Sequence, residues 1–314
     1  MIKKEEFTFD SRDGKTKIHA VRWVPEGKII CILQIVHGMA EYIERYEETA
    51  VYLAGKGILV TGEDHLGHGK SVSEEVPFGY FCERDPATVA VRDVHRLEKI
   101  TQEAYPGIPY VILGHSLGTF MLRNYLFRYG TGIQGAILCG TGHTPQPLVH
   151  FGMLAAQIQR FFRGDKHISG FLDSLAFGTY LKRIPSPRSK YDWLATDDAV
   201  VDAYLEDPLC GFGFTVNGFR TMFELIIRQN KAANLLKMPK ELPVLFLAGK
   251  EDPVGNYLKG VETVYRAFLT AGMQKVSSRF YENDRHEILN EPDREQVYED
   301  IVSFVLERVK EYQI

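Results

Sequence analysis

The sequence predicts an α/β protein in which a mostly parallel sheet is flanked by helices on both faces. The first observation is that short apolar segments alternate with longer amphipathic segments along much of the 314 residues, as strands and helices do in this class. The second is that segments such as IICILQIV at 29–36 are almost continuously apolar, which is typical of strands covered on both faces. The third is that the alternation fails between Thr141 and about Pro243, which predicts an insertion.

The chain opens with two strands. The segments EFTFDS and KIHAVRWVP alternate apolar and polar residues around the turn RDGK, which predicts a hairpin with one wetter face. The strand IICILQIV follows. Helices and strands then alternate in this order: helix RYEETAVYLAGKG (45–57), strand ILVTGED (58–64), helix ATVAVRDVHRLEKITQEAYPG (87–107), strand YVILG (110–114), helix LGTFMLRNYLFRYG (117–130) and strand GAILCGT (135–141).

The same alternation returns near the carboxyl end of the chain. It predicts strand PVLFLAG (243–249), helix NYLKGVETVYRAFLTAG (256–272), strand VSSRFYEN (276–283) and helix REQVYEDIVSFVLERVKEY (294–312). We therefore expect one core formed by residues 1–142 and 214–314, with residues 143–213 inserted as a helical lid. The segment TVNGFRTMFELIIRQNK (215–231) predicts the helix that returns to the sheet.

One lid segment has two interpretations. FGMLAAQIQRFF at 151–162 carries apolar residues at helical spacing. Its apolar face either lines a channel for an acyl chain or packs the lid onto the core, and a lid helix can do both.

The composition argues against several classes of function. Hydrophobic residues make up 45% and charged residues 25%, as in ordinary globular proteins. The net charge of −4, without a basic block, argues against a nucleic-acid partner. The apolar runs are too short to cross a bilayer and the N-terminus lacks a signal core, so we expect a cytoplasmic protein. The four scattered cysteines, without a CxxC pair, argue against disulfides and structural zinc.

The segment VILGHSLGTF at 111–120 places Ser116 between Gly114 and Gly118, where a strand gives way to a helix. This is the pattern of a nucleophile elbow, in which a strained serine presents its hydroxyl at the N-terminus of a helix. The alternative is that Ser116 only caps the helix, but capping does not explain the two glycines. We therefore expect Ser116 to be a nucleophile.

A serine needs a base, and the base needs a group that orients it. In this architecture the acid follows a later strand and the histidine comes near the end of the chain. Asp252 follows the strand PVLFLAG, and His286 follows the strand VSSRFYEN. Both positions are at carboxyl ends of strands, where open α/β sheets form their sites. Glu251 is the competing candidate for the acid.

The oxyanion of the reaction also needs hydrogen-bond donors. His37 and Gly38 directly follow the first buried strand. At this point a flexible backbone can direct the N–H of Met39 at a tetrahedral oxygen, together with the N–H of Leu117.

Five motifs, in order along the chain, carry a family resemblance: HGMAEYIERY (37–46), DHLGHGKS (64–71), GHSLG (114–118), GKEDPV (249–254) and RHEILNE (285–291). The set resembles α/β-hydrolases of the monoacylglycerol lipase and lysophospholipase group, which is serine aminopeptidase-like. YDWLATDDAVVDAYLEDPLCGFGFT at 191–215 also looks like the lid of that group.

The resemblance implies a triad of Ser116, Asp252 and His286, with Met39 and Leu117 as oxyanion donors. It implies no metal and no organic cofactor. The chain departs from the family pattern in two places: Tyr42 replaces a second histidine, and Thr119 replaces a common glycine. Both departures bear on the pocket beside the proton relay and so on the preferred acyl and head groups.

We therefore expect a serine hydrolase of lipid-like carboxylic esters, of monoacylglycerol or lysophospholipid type, that forms an acyl-enzyme. Its partners would be a small-molecule ester and, through the lid, a transient contact with a membrane or micelle surface. An aminopeptidase would need an anionic lid group that grips a free amine, such as Asp197, Asp198 or Glu206. The sequence is also compatible with a thioesterase, a haloperoxidase-like enzyme or a binding protein without activity.

Two further motifs suggest ligands but are weak. His65 and His68 are spaced like a metal pair, yet Gly67 and Gly69 favour a loop and no third ligand is obvious. GFGFTVNG at 211–218 does not follow a strand and lacks the order of a nucleotide-binding motif.

Overall fold

The computed structural model describes residues 2–312. In this range eight strands form one sheet in the order β1-β2-β4-β3-β5-β6-β7-β8. The strands are β1 Lys3–Asp10, β2 Lys17–Val24, β3 Cys31–Val36, β4 Ile58–Glu63, β5 Tyr110–His115, β6 Gly135–Cys139, β7 Val244–Gly249 and β8 Val276–Tyr281. β2 pairs antiparallel with β1 and β4, and the remaining pairs in this sheet are parallel. The predicted α/β fold with a mostly parallel sheet is confirmed.

The helices alternate with the strands over most of the chain. They are α1 Glu47–Gly55, α2 Pro86–Ala104, α3 Leu117–Tyr129, α4 Gln146–Arg163, α5 Gly170–Phe177, α6 Asp198–Glu206, α7 Val216–Gln229, α8 Ala232–Leu235, α9 Lys259–Thr270 and α10 Arg294–Tyr312. None of the helices in residues 2–312 combines the length and the apolar character needed to cross a bilayer.

The central strands are buried on both faces because two layers of helices cover them. In β5, Tyr110 and Ile112 pack in a cluster with residues of α2, α3, α7 and α9. The alternate residues Val111 and Leu113 pack in a second cluster with α1 and α10. This two-residue alternation follows from strand geometry, and it explains why both faces of these strands are apolar.

Five helices, α4 to α8, lie between β6 and β7, where the sequence predicts the insertion. The buried side of α4 includes Val149 and Ala156. Its other side exposes Leu154 at 55%, Phe161 at 83% and Phe162 at 76% of their surfaces. Helix α7 is mostly buried within the larger core cluster, which agrees with its expected return to the sheet. The domain bounds of 143–213 stay a prediction.

The N-terminus of α3 lies directly against the end of β3. A Cβ atom on Gly118 would lie 1.9 Å from the carbonyl oxygen of Val36, and one on Gly114 would lie 2.6 Å from the carbonyl oxygen of Gly118. Both distances are far below normal contact. The two glycines therefore permit the close approach of helix and strand on which the serine turn depends.

We predict that Gly118→Ala destabilises the protein by roughly 1–3 kcal/mol, because the added methyl group forces β3 and α3 apart. Gly55→Ala is the matched control, since no heavy atom lies within 4 Å of its added Cβ. Because Gly55 lies in a helix, Gly55→Ala should stabilise the protein by about 0.5–1 kcal/mol. Urea unfolding followed by circular dichroism measures both values. Equal stabilities of G118A and the wild type would contradict the packing described.

Candidate active site

Ser116 occupies a strained turn between β5 and α3. Its backbone has φ 51° and ψ −118°, a conformation that costs a residue with a side chain about 1–3 kcal/mol. The turn is held by the Ser116 N–H, which donates to Cys139 O at 3.0 Å, and by Ser116 O, which accepts from Thr119 N–H at 2.9 Å. The Ser116 side chain makes no capping hydrogen bond to α3. The hydroxyl is therefore not used as a helix cap.

Asp252 and His286 meet at the carboxyl edge of the sheet. The ring Nδ1 of His286 lies 3.0 Å from Oδ2 of Asp252. The other carboxylate oxygen of Asp252 accepts from Val254 N–H at 2.8 Å, so the turn that follows the strand also orients the carboxylate. Glu251 is exposed, and its backbone N–H donates to Asp284 O at 2.9 Å. Of the two candidate acids, it is Asp252 that contacts the histidine.

The second ring nitrogen of His286 is buried and has no hydrogen-bond partner within residues 2–312. Because Nδ1 donates to the carboxylate, Nε2 is the acceptor of the neutral ring. His286 and Ser116 line the same cavity. The ring of Trp193, from the insertion, packs against His286 with centroids 5.2 Å apart. This arrangement suits a base that takes a proton from a group in the cavity.

Met39 and Leu117 also line this cavity. Leu117 is the first residue of α3, where a backbone N–H has no acceptor within the helix. The loop after β3 passes close to the serine, since a Cβ atom on Gly38 would lie 3.2 Å from Ser116 Cβ. The Gly38 N–H itself donates to Glu41 Oε1 at 2.5 Å, which leaves the neighbouring Met39 amide as the candidate donor for a substrate.

Glu41 anchors this loop from behind, a role that the sequence did not reveal. Besides Gly38 N–H, its carboxylate accepts from Tyr46 Oη at 2.8 Å, from His115 Nδ1 at 3.2 Å and from Arg45 Nη1 at 2.8 Å. Burial opposes ionisation of Glu41, but the hydrogen bond from His115 and the charge of Arg45 lower its pKa. Glu41 is therefore a buried carboxylate with four donors around it.

The ion cluster extends to the loop that carries His286. Arg45 donates to both oxygens of Glu287 at 2.8 and 2.9 Å. His115 Nε2 faces the carbonyl oxygen of His286 at 3.4 Å. Although burial opposes its protonation, Glu41 raises the pKa of His115, and both ring nitrogens of His115 face acceptors. Behind the candidate site, two carboxylates thus share the guanidinium of Arg45, and the imidazole of His115 contacts one of them.

His65 and His68 do not form a metal pair. His65 donates its N–H to His37 Nε2 and its ring Nε2 to His37 O, both at 3.1 Å. The rings of His37 and His65 stack with centroids 3.8 Å apart. Burial lowers the pKa of His65 to about 4 and that of His68 to about 3. Stacked rings that are each bonded to the other residue's main chain, as in His37 and His65, brace the loop before Gly38.

A group of three potential metal ligands lies elsewhere, at Glu6, His19 and Glu44. The amine of Lys70 contacts both Glu6 and Glu44 at 2.8 Å. Lys70 therefore bridges both carboxylates and Lys4 pairs with Glu44 as well, so cations of the protein itself already occupy this group.

The cavity beside Ser116 has a volume of about 280 Å³. Most of its lining is apolar or aromatic and comes from both the core and the insertion: Leu148, Val149, Leu175, Phe177, Tyr180, Phe212, Met222, Phe223 and Ile226 join Met39, Leu117 and Phe120. No residue of FGMLAAQIQRFF (151–162) is part of this lining, and Gly152 in this segment packs against Phe223. The structure agrees with packing only for the small residues of that segment, because Gly152 and Ala156 are buried. Its large apolar residues are more than half exposed: Phe151, Leu154, Ile158, Phe161 and Phe162.

The two departures from the family pattern also lie outside the cavity lining. Tyr42 donates its hydroxyl to Asp207 of the insertion at 2.8 Å. The hydroxyl of Thr119 donates to Ser116 O at 2.6 Å. These residues hold the insertion and the serine turn in place.

Comparison with known proteins shows the family of the chain. The family model of serine aminopeptidases, S33, matches residues 27–293. The chain belongs to this family. Its predicted membership in the monoacylglycerol lipase group of α/β-hydrolases is confirmed.

Members of the family with assigned activities resemble most of the chain. A monoacylglycerol lipase of Mycolicibacterium smegmatis is 26% identical over 96% of this chain and 97% of its own. A monoglyceride lipase of Mus musculus is 30% identical over 73% of this chain and 68% of its own.

Two solved structures superpose closely on the chain. A thermostable carboxyl esterase from Bacillus coagulans, in complex with glycerol, has a TM-score of 0.91 at 29% identity and covers 98% of this chain and 100% of its own. A monoglyceride lipase variant from Saccharomyces cerevisiae, in complex with a substrate analogue, has a TM-score of 0.75 at 19% identity, covers 97% of this chain and 94% of its own, and shares the fold.

We predict that Glu41→Gln lowers the free energy of unfolding by about 3 kcal/mol, because it breaks the buried ion pair with Arg45 and leaves Glu287 as the one carboxylate on this guanidinium. The variant should also lose roughly tenfold or more in kcat/KM, because the Gly38 loop loses its anchor. Glu44→Gln is the control. Its carboxylate contacts Lys4 and Lys70 near the surface, and its loss should cost less than about 1 kcal/mol. Wild-type stability and turnover in E41Q would contradict an anchoring role.

Proposed function

We propose that this protein is a serine hydrolase that cleaves lipid-like carboxylic esters, of monoacylglycerol or lysophospholipid type, through an acyl-enzyme on Ser116. The monoacylglycerol lipases and esterases among its relatives support a carboxylic-ester hydrolase. The observation that carries the proposal is the buried contact of Asp252 with His286, whose free nitrogen shares an apolar cavity with Ser116.

The chemistry begins with Nε2 of His286, which takes the proton of the Ser116 hydroxyl as the oxygen attacks the ester carbonyl. The N–H groups of Met39 and Leu117 stabilise the oxyanion. The C–O bond to the alcohol then breaks, and His286 protonates the leaving alkoxide. Water, activated by the same ring, releases the acid and restores the serine. Asp252 holds Nδ1–H and stabilises the imidazolium, and no step requires a metal or an organic cofactor.

The cavity supports a substrate with a single acyl chain. Its volume of about 280 Å³ lies just below the range of about 300–1,000 Å³ that is typical of ligand sites. Apolar walls on both the core and the insertion favour hydrocarbon over a charged group. These features favour a monoacyl ester over a diacyl lipid.

An aminopeptidase is less well supported. Asp197 accepts the N–H of Ala199 at 2.9 Å as a helix cap, and Asp198 pairs with Arg188 at 3.1 Å. Neither residue lines the cavity, nor does Glu206. The three acidic candidates that the sequence offers thus lie outside the cavity, and the acidic residue of the insertion that does line it is Asp173.

The insertion would act as a lid that touches the lipid surface. The exposed face of α4 includes Ile158, Phe161 and Phe162. Arg160 and Arg163 flank these side chains in sequence. An apolar face bordered by cations is suited to transient contact with a membrane or micelle.

One prediction from the proposed function concerns the triad. Ser116→Ala and Asp252→Asn should each lose about 10⁴-fold or more in kcat on p-nitrophenyl esters and monoacylglycerols. Glu251→Gln is the matched control and should retain wild-type activity. A panel that adds lysophospholipids, thioesters and aminoacyl amides defines the substrate class. Full esterase activity in the alanine variant would refute the proposed nucleophile.

Another prediction from the proposed function concerns the lid. Replacing Phe161 and Phe162 with serine should weaken binding to phospholipid vesicles roughly tenfold, because two exposed apolar side chains no longer enter the interface. Activity on a water-soluble ester should not change. Leu236→Ser, which alters a leucine that is 63% exposed on another part of the molecule, is the control. Unchanged vesicle binding in the double variant would argue against a lipid-facing α4.

A further inference from the structure

Part of the insertion is joined to the loop that carries His286. The segment 192–196 follows the proline-rich stretch of the insertion and lies against the loop 285–291. The backbone N–H of Glu287 donates to Leu194 O at 2.7 Å. The donor is the residue directly after the histidine, so a main-chain hydrogen bond connects the two segments at the candidate site itself.

Arg285, the residue before the histidine, spans the same segment with its side chain. Its Nη1 donates to Asp192 O at 2.6 Å and to Ala195 O at 2.8 Å. One guanidinium nitrogen thus holds two carbonyl groups that are three residues apart. The planar guanidinium group is suited to this kind of fixed, multiple donation.

Glu291 closes the loop from its other end. Its side chain is fully buried. Oε1 accepts from Arg285 N–H at 2.9 Å, and the carboxylate also accepts from Thr196 N–H at 2.9 and 3.0 Å. The Thr196 hydroxyl donates to the same group. One buried carboxylate therefore binds both ends of the contact, and hydrogen bonds to a charged group are among the stronger ones in proteins.

The joined segment carries the side chain that covers the histidine. Trp193 packs on His286 with ring centroids 5.2 Å apart, and its other neighbours are Phe177 and Tyr180 of the insertion. Because residues on both sides of Trp193 are bonded to the loop 285–291, the indole is held where it meets the imidazole. The histidine thus has Asp252 at Nδ1 and Trp193 against its ring.

We propose that Arg285 and Glu291 are positioning residues for His286. They fix the segment 192–196 to the loop 285–291, and they thereby determine the positions of the imidazole and of the Trp193 ring that packs against it. This inference rests on the proposed function, in which His286 is the base. The segment 192–196 then belongs to the fixed wall of the site. Substrate entry depends on other parts of the insertion.

The test separates chemistry from binding. Arg285→Met should lower kcat and the rate of fluorophosphonate labelling of Ser116 by about 10- to 100-fold, because small displacements of a catalytic group cost that much. KM for a short p-nitrophenyl ester should change by less than about twofold, because within the segment 192–196 only Trp193 and Leu194 line the cavity and its other walls have no bond to the Arg285 side chain. Arg285→Lys keeps a multiple donor and should recover part of the loss. Arg279→Met, at an exposed arginine on β8 that donates to a carbonyl group, is the matched control.

Tryptophan fluorescence adds a readout of position. The chain has two tryptophans, so a Trp23→Phe background reports on Trp193 alone. In that background R285M should shift the emission to longer wavelength as the indole gains water, and R279M should not. Thr196→Val is the milder variant should R285M fail to fold, and it should show the same pattern with roughly a threefold loss of kcat.

Three outcomes decide the matter. A folded R285M or T196V enzyme with wild-type kcat, labelling rate and emission overturns the inference, while the wild-type esterase activity leaves the proposed function intact. A rise of KM at constant kcat also overturns it, because the contacts of Arg285 and Glu291 would then contribute to substrate binding and not to the position of His286. A wild type that neither hydrolyses esters nor labels at Ser116 overturns both proposals.

Discussion

The parallel pairing of β3, β5, β6, β7 and β8 is the constraint on which the candidate site depends. Parallel strands end at one edge, so residues far apart in the chain meet there. The loop after β3 brings Met39, the turn after β5 brings Ser116, and the segments after β7 and β8 bring Asp252 and His286. The strained backbone of Ser116 costs about 1–3 kcal/mol. The packing of the sheet offsets this free energy.

Behind this edge, a buried network of ion pairs and hydrogen bonds joins the loops around Ser116. Glu41 binds the Gly38 loop, Arg45 joins Glu41 to Glu287, and His115 reaches the carbonyl group of His286. Burying ions is costly unless each has a partner. In return, the cluster couples the loop that carries Gly38 and Met39 to the loop that carries His286, so that the two loops keep a fixed separation around Ser116.

Much of the fold and of the site follows from local sequence patterns. The period of apolar residues predicts the strands and helices, and strand ends predict where Asp252 and His286 meet. Local patterns do not choose between neighbours such as Glu251 and Asp252, because the choice depends on which side chain the turn directs inward. Nor do they reveal Glu41 or Arg285, because the partners of these residues come from segments brought together only by the tertiary fold. The segment FGMLAAQIQRFF is amphipathic whether it packs or lines a channel, so only its neighbours distinguish the two roles.

The most direct test of the account is a crystal structure of the protein after reaction with a fluorophosphonate that carries a single alkyl chain. We expect a covalent bond from Ser116 Oγ to phosphorus, with the phosphoryl oxygen about 2.7–3.1 Å from the backbone nitrogens of Met39 and Leu117. Nε2 of His286 should lie within hydrogen-bond distance of the adduct, and the alkyl chain should occupy the apolar cavity. An adduct on another residue, or a phosphoryl oxygen directed away from both amides, would contradict the account.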